Sequence, residues 1–220
     1  MITLEVTLDA MVEMQYGDKQ ADLIFALRVA ALSPLQDLAV NGNMARLLSL
    51  YVGKPLPERD VLYNLLLTAR TETSPAVLFK NHMTALYSID EAWLSGKLDR
   101  FMTIPESFDG QVAWRAGLNL LIKGMGLKTL SFALLLFDPF RCQLVAIDRH
   151  HLRRLGEPTE KTPGEKKYLA LELSLKAEKD TAGFSKLSLG VFSAYLWGIQ
   201  RDGIDAESYP DHKNLSCRWY

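Results

Sequence analysis

Cysteine is almost missing from this chain: only Cys142 and Cys217 occur in 220 residues. Two thiols are too few for a four-cysteine iron–sulfur cluster and stand in no metal-ligand spacing, so no metal or cluster is expected. They suit a reducing, cytoplasmic setting better than a disulfide framework. A surplus of either charge is missing as well, with 25 Lys and Arg against 26 Asp and Glu and a formal charge of −1. Any attraction to phosphate therefore has to be local. Long apolar runs are absent, since Leu130 to Phe137 is far shorter than the roughly 20 residues that span a bilayer. Met1 to Tyr16 carries Glu5, Asp9 and Glu13, unlike the basic start and apolar middle of a signal peptide. No membrane association is expected, and no internal repeat or low-complexity tract stands out.

What is present is helical spacing, punctuated by glycine and proline. Leu23, Ile24, Leu27 and Ala31 keep a period near 3.6 from Gln20 to Leu32, where Ser33-Pro34 stops the helix. Asn43 to Tyr51 reads as a short helix, and Asp60 as the N-cap of another through Leu62, Leu65, Leu66 and Ala69. Ser74-Pro75 opens a helix bearing Val77, Leu78, Met83 and Leu86, with a further turn or two from Ser88 to Ser95. Lys97 to Gly110 reads mostly as loop, then Gln111 to Ile122 as helix. Lys128 to Phe137 is a very apolar helix ended by Asp138-Pro139, and Asp148 to Leu155 another, stopped at Gly156. Beyond the polar linker Glu157 to Gly164, helices are expected near Glu165 to Lys179 and Ser185 to Gln200, with no strong pattern from Asp202. Met1 to Leu8 alternates weakly, as a short strand or an extended arm would. The fold class expected is all-α, with about ten helices, and the length allows one domain or two small lobes sharing a cleft.

Chemistry concentrates in one stretch. Between Arg115 and Arg154 the basic residues are Arg115, Lys123, Lys128, Arg141, Arg149, Arg153 and Arg154, and the only acids are Asp138 and Asp148. Gly124-Met125-Gly126 sits between two apolar helices, where a tight turn needs positive φ and close backbone approach. Bare amides beside a helix N-terminus can meet a phosphate, although a ligand-free helical hairpin closes with the same glycines. Lys128 begins the following helix beside Leu127, Leu130, Phe132 and Ala133. Apolar walls and the helix dipole disfavour a lysine's charged form there, which leaves an amine able to attack. Asp148 follows the apolar run Val145-Ala146-Ile147 and opens a new helix. It is either a plain N-cap or a carboxylate that stabilises a developing sugar cation or helps deprotonate a nucleophile.

Taken together, Ile122-Lys123-Gly124-Met125-Gly126-Leu127-Lys128-Thr129-Leu130 and, about twenty residues on, Ile147-Asp148-Arg149-His150 resemble the signature of the helix-hairpin-helix (HhH-GPD) DNA glycosylase superfamily. That family includes endonuclease III and the 8-oxoguanine glycosylases; its hairpin reads Leu-Pro-Gly-Val-Gly-x-Lys-Thr-Ala, followed by Val-Asp-x-His. Tyr63 to Thr71 is similar to its Leu-Leu-Ser-x-Gln-x-Thr helix end, and Ser188 to Gly198 to its closing core helix. The resemblance implies residues 60–200 as the glycosylase-like core, 1–59 as a segment packed on the helical lobes, and 201–220 as a tail. It also implies a two-lobed helical fold with a lesion cleft, kinked double-stranded DNA and a flipped base. Lys128 would attack C1′ of the damaged nucleotide through a Schiff base that permits β-elimination. Asp148 would assist departure of the base and activation of the lysine. Gly124, Met125 and Gly126 would present amides to a phosphate, with a structural monovalent cation conceivable at the hairpin. Arg70 falls where the family places a side chain that fills the flipped base's hole. Lys123 for proline and Leu130 for a small residue depart from the pattern and leave the substrate pocket open.

His150 and His151 do not suggest a metal, because adjacent residues point apart on a helix and no third ligand is nearby. His150 reads as a packing residue or a phosphate contact, and Arg153 and Arg154 as phosphate contacts or solvated charges. Trp114, Tyr195 and Trp197 read as core residues, with stacking on a flipped base as the alternative. The function expected is a monomeric, nucleoid-associated bifunctional glycosylase and AP lyase. Its target would be an oxidised or modified base; the lack of a cysteine-rich C-terminal loop turns this toward 8-oxoguanine. The alternatives are the phage amino acid:DNA transferases that hypermodify thymidine, and a non-catalytic DNA-binding module.

Overall fold

The computed structural model describes residues 18–32, 38–68, 79–159 and 162–202. Among them lie nine α-helices and no strand. They are α1 (Lys19–Leu32), α2 (Leu38–Ser49), α3 (Arg59–Thr68), α4 (Phe79–Leu94), α5 (Phe108–Leu121), α6 (Leu127–Phe137), α7 (Arg149–Arg154), α8 (Glu165–Thr181) and α9 (Leu189–Asp202). A 3₁₀ turn, Asp99–Phe101, links α4 to α5. No helix among the described residues is long and apolar enough to cross a membrane.

Helix α1 is apolar almost all round, and a helix of that kind has to sit inside. Ten of its fourteen residues are buried, and it packs on α6, α4 and α2. Its one buried charge, Arg28, is offset by Asp90 of α4: Nε and Nη2 donate to Asp90 Oδ1 at 3.0 and 2.5 Å. Nη1 and Nη2 also donate to the carbonyls of Tyr51 and Lys54, while Asp90 Oδ2 accepts from Leu56 N–H at 2.7 Å. One ion pair therefore ties α1, α4 and the loop after α2. Arg28 loses some basicity to burial, which Asp90 partly restores.

The apolar interior divides in two. One cluster runs from α1 through α6 to Leu144; the other gathers Val145, Ile147, Leu152, Tyr168, Leu171, Leu175, Leu189, Phe192, Tyr195 and Leu196, and Phe108 packs against both. At their junction lies a second buried pair. Arg115 of α5 donates to both oxygens of Glu172 of α8, at 2.6 and 2.7 Å, and to Ser131 Oγ of α6 at 2.7 Å. Glu172 Oε1 also accepts from Val145 N–H. Gln111 has its side-chain amide similarly occupied, donating to the carbonyls of Pro105 and Arg141 and accepting from Gln143 N–H.

Several expected boundaries move. Asp60 is the second residue of α3 and not its cap, because Leu62 N–H already reaches Glu58 C=O. Residues 88–95 do not form a separate turn but complete α4, which is one continuous helix. Gly110, expected in a loop, lies in the first turn of α5, whose cap is Ser107 accepting from Gly110 N–H. A Cβ on Gly110 would come within 2.5 Å of Pro105 Cβ, so packing explains that glycine. The expected core limit at residue 200 falls inside α9. Met1 to Leu8, expected as a short strand or an extended arm, and Ser74-Pro75, expected as a helix start, lie outside the described residues.

Glu172→Gln leaves the Arg115 guanidinium buried without its counter-charge. It is expected to lower the unfolding free energy by about 3–5 kcal/mol in urea denaturation. Arg115→Met combined with Glu172→Leu should recover most of that loss; equal losses in the single and double variants would contradict this account.

Candidate active site

The turn between α5 and α6 is anchored on α4. Ile122 leaves α5 in an extended conformation with its side chain buried. Lys123 N–H donates to Ser88 Oγ at 2.9 Å. A proline, usual at this place in the family that the sequence resembles, has no N–H to make that bond. Gly124 has φ +85°, and a Cβ there would stand 3.3 Å from Ala85 N and Asn81 O of α4. Gly124 thus meets both demands expected of the glycine pair. Gly126 meets neither: it caps α6 in an extended conformation, and a Cβ on it would meet nothing within 4 Å. Met125 between them is buried. The amides of Gly124, Met125 and Gly126 donate to no other group among the described residues.

Lys128 is the second residue of α6 and is half-buried. It forms no ion pair among the described residues, and its positive charge reaches Asp148. Leu130, two residues on, is wholly buried in the first core cluster.

Asp148 is brought to the site by a stretch without regular secondary structure, held at three backbone atoms. Val145 N–H donates to Glu172 Oε1; Tyr168 Oη donates to Val145 C=O and accepts from Ile147 N–H. Asp148 then caps α7. Its Oδ1 accepts from the amides of His150 and His151 at 2.9 and 3.2 Å and lies 3.0 Å from His151 Nδ1. Its Oδ2 accepts from Trp197 Nε1 of α9 at 2.6 Å. Burial alone would raise the carboxyl pKa. The bond and charge of His151, with the charge of Lys128, more than reverse this and hold Asp148 well below the usual carboxylate range. A group that accepts protons so poorly is suited to stabilising positive charge rather than to acting as a base.

Around this pair the predicted residues divide. His150 packs edge-on against the Trp197 ring, 5.8 Å between centroids, with its Nδ1 buried and without a hydrogen-bond partner among the described residues. Burial lowers its pKa against the opposing pull of Asp148. Arg153 is exposed on α7. The basic stretch is thinner than its sequence suggests: Arg115, Arg141 and Arg154 are paired with Glu172, Asp138 and Glu178. Only Lys123, Lys128, Arg149 and Arg153 stay outside ion pairs among the described residues. Arg70 lies outside the described residues. Trp114 and Tyr195 are buried, in keeping with core roles. Among the described residues, no group of three or more His, Cys, Asp or Glu is placed to hold a metal.

Sequence reasoning missed the partners of Asp148. His151 occupies the third helical position, where a capping box normally places Glu or Gln beside the cap; that signal was legible. Trp197 lies 49 residues away, and no local pattern points to it. Comparison of the chain with protein-family models, with curated proteins and with solved structures returns no match.

Gly124→Ala is expected to cost at least about 1–2 kcal/mol, because it forces an alanine into the left-handed region against the α4 backbone. Gly126→Ser should leave the melting temperature nearly unchanged. Equal effects at the two positions would refute this division of labour. A second expectation concerns acid. His82 and His150 are both held below the ordinary imidazole value by burial, so the unfolded chain binds their protons more readily. The stability they confer is complete above about pH 6.5 and declines as pH falls below it. That of Asp148, whose pKa is depressed, is lost only at still lower pH. Between about pH 7.5 and about pH 5 the urea midpoint of wild type should therefore lose more toward acid than that of His150→Asn; identical pH profiles for the two proteins would contradict the argument.

Proposed function

We propose that this chain is a helix-hairpin-helix DNA glycosylase with lyase activity, acting on an oxidised or otherwise modified base in double-stranded DNA. The observation that carries the proposal is the pairing of Lys128, at the start of the helix after the glycine turn, with a carboxylate that feels its charge and is fixed as an anion. Free amides at Gly124, Met125 and Gly126 beside a helix N-terminus support a phosphate contact at the hairpin. The division of the apolar interior into two clusters supports a two-lobed arrangement of the glycosylase type.

In this reading Lys128 releases a proton to solvent and its Nζ bonds to C1′ as the glycosidic bond breaks; the base departs with the bonding electrons and takes up a proton. Asp148 stabilises positive charge on the sugar in passing and does not accept the lysine's proton. The resulting aminal opens to an imine, loss of a C2′ proton expels the 3′ phosphate, and water releases the lysine. The base must leave the stack for Nζ to reach C1′.

Borohydride reduction should trap a covalent adduct between wild type and a duplex carrying 8-oxoguanine, thymine glycol, 5-hydroxymethyluracil or an abasic site, with 8-oxoguanine the first to test. Lys128→Gln should bind the duplex and give no adduct; Asp148→Asn should trap roughly 100-fold more slowly or worse. Gly126→Leu should weaken binding to every sequence, since the contact is to backbone phosphate. A Cβ at Gly126 meets nothing within 4 Å among the described residues, so an unchanged melting temperature in Gly126→Leu would assign that loss to the DNA contact and not to damage to the fold. Absence of any adduct despite measurable DNA binding would overturn the proposal.

A further inference from the structure

His151 is buried, and each of its ring nitrogens faces an oxygen. Nε2 lies 3.1 Å from the carbonyl of Ser193, a group that can only accept, so Nε2 carries a proton. Nδ1 lies 3.0 Å from Asp148 Oδ1. A neutral imidazole protonated at Nε2 would turn the Nδ1 lone pair toward that carboxylate oxygen. It would gain in return only a 3.4 Å contact from Asp148 N–H. The cationic form donates at both ends, and its shorter contact is to an anion, the stronger kind of hydrogen bond.

We infer that His151 is held as a buried imidazolium and, together with Trp197, acts as a positioning residue that fixes Asp148 as an oriented anion beside Lys128. The two residues come from different helices and take different oxygens: His151 of α7 holds Oδ1, and Trp197 of α9 holds Oδ2. With the amides of His150 and His151 also on Oδ1, four donors converge on one carboxylate. The charged and titratable groups bearing on this cluster are Lys128 from α6 and His150, Arg149 and Arg153 from α7; α9 contributes the Ser193 carbonyl and the Trp197 indole. Asp148 supplies the only negative charge among them. The depressed carboxyl pKa of Asp148 agrees with this arrangement. The effect of His151 on catalysis rests on the glycosylase reading; its protonation does not.

The test begins on the wild-type protein without DNA, by nitrogen-15 NMR of the histidine rings at neutral pH. Protons on both nitrogens of His151 are the expected result, and one unprotonated nitrogen would overturn the inference whatever the trapping assay shows. The second arm follows the Asp148 carboxyl by carbon-13 NMR in His151→Phe and, in case that variant folds poorly, in Trp197→Phe. Its titration should move up toward the ordinary aspartate value of about 3.9. A titration unmoved in a folded variant would overturn the positioning role. In the trapping assay both variants should slow adduct formation roughly tenfold or more with duplex Kd unchanged. Loss of Kd with an unchanged trapping rate would count against positioning. Failure of wild type to form an adduct would sink the glycosylase reading, and the NMR arms would still decide the state of His151.

Discussion

A guanidinium and a carboxylate, both withdrawn from water, hold the loop that presents Asp148. The segment from Cys142 to Ile147 forms no regular secondary structure, so its buried backbone groups need partners from elsewhere. Glu172 takes the N–H of Val145, and Tyr168, stacked under the Arg115 guanidinium at 5.0 Å, takes the carbonyl of Val145 and the N–H of Ile147. Arg115 faces both oxygens of Glu172 and supplies its counter-charge away from water. Desolvating the two ions is costly, and two direct bonds with further bonds to Ser131 and Val145 offset the cost. The pair's worth lies in fixing a loop that apolar residues of the same volume could not bond.

The same network also reaches the lysine. Ser131 accepts from Arg115 and donates to the carbonyl of Leu127, the residue before Lys128. The first turn of α6 is thus braced from inside by Arg115 and from the other side by the hairpin's hold on α4 through Ser88 and Gly124. Lys128 and Asp148 arrive on different elements, yet one buried ion pair supports both. α1 completes the frame: although it precedes the motif-bearing region by some way, it is the helix on which α6 packs. The described residues before position 60 are part of the structure that carries the site.

Periodicity made most helices legible, because one face of each is apolar at a spacing of three and four. It was less informative for α1, where Phe25, Ala26 and Ala30 are buried beside the four positions the pattern singled out. Gly124, Lys128 and Asp148 were legible because their demands are local: a left-handed turn, a helix start, a cap. Arg115 was misleading for the opposite reason. A run of basic residues looks like a surface, and nothing in it shows that a glutamate 57 residues away will bury one of them. Trp197 was hidden in the same manner, its indole N–H being committed to Asp148 by tertiary packing alone.

That misreading bears on how the chain would hold DNA. With a formal charge of −1 overall and three of seven local basic side chains already paired, general attraction to phosphate is weak. Besides Lys128, the proposed nucleophile, three side chains remain: Lys123, Arg149 and Arg153. If each neutralised one phosphate, the salt dependence of binding would have a slope of about −2.7, shallow beside proteins that make 6–10 such contacts. Little of the affinity would then come from counterion release. More would have to come from neutral amides at the hairpin and from the fit of the distorted duplex, terms that depend on geometry. Unpairing and extruding a base costs a few kcal/mol, and least where the base is already damaged. On the proposed glycosylase reading, a site with few cations would thus bind undamaged duplex weakly and gain most where extrusion is easiest, so its selectivity would lie in deformation more than in charge.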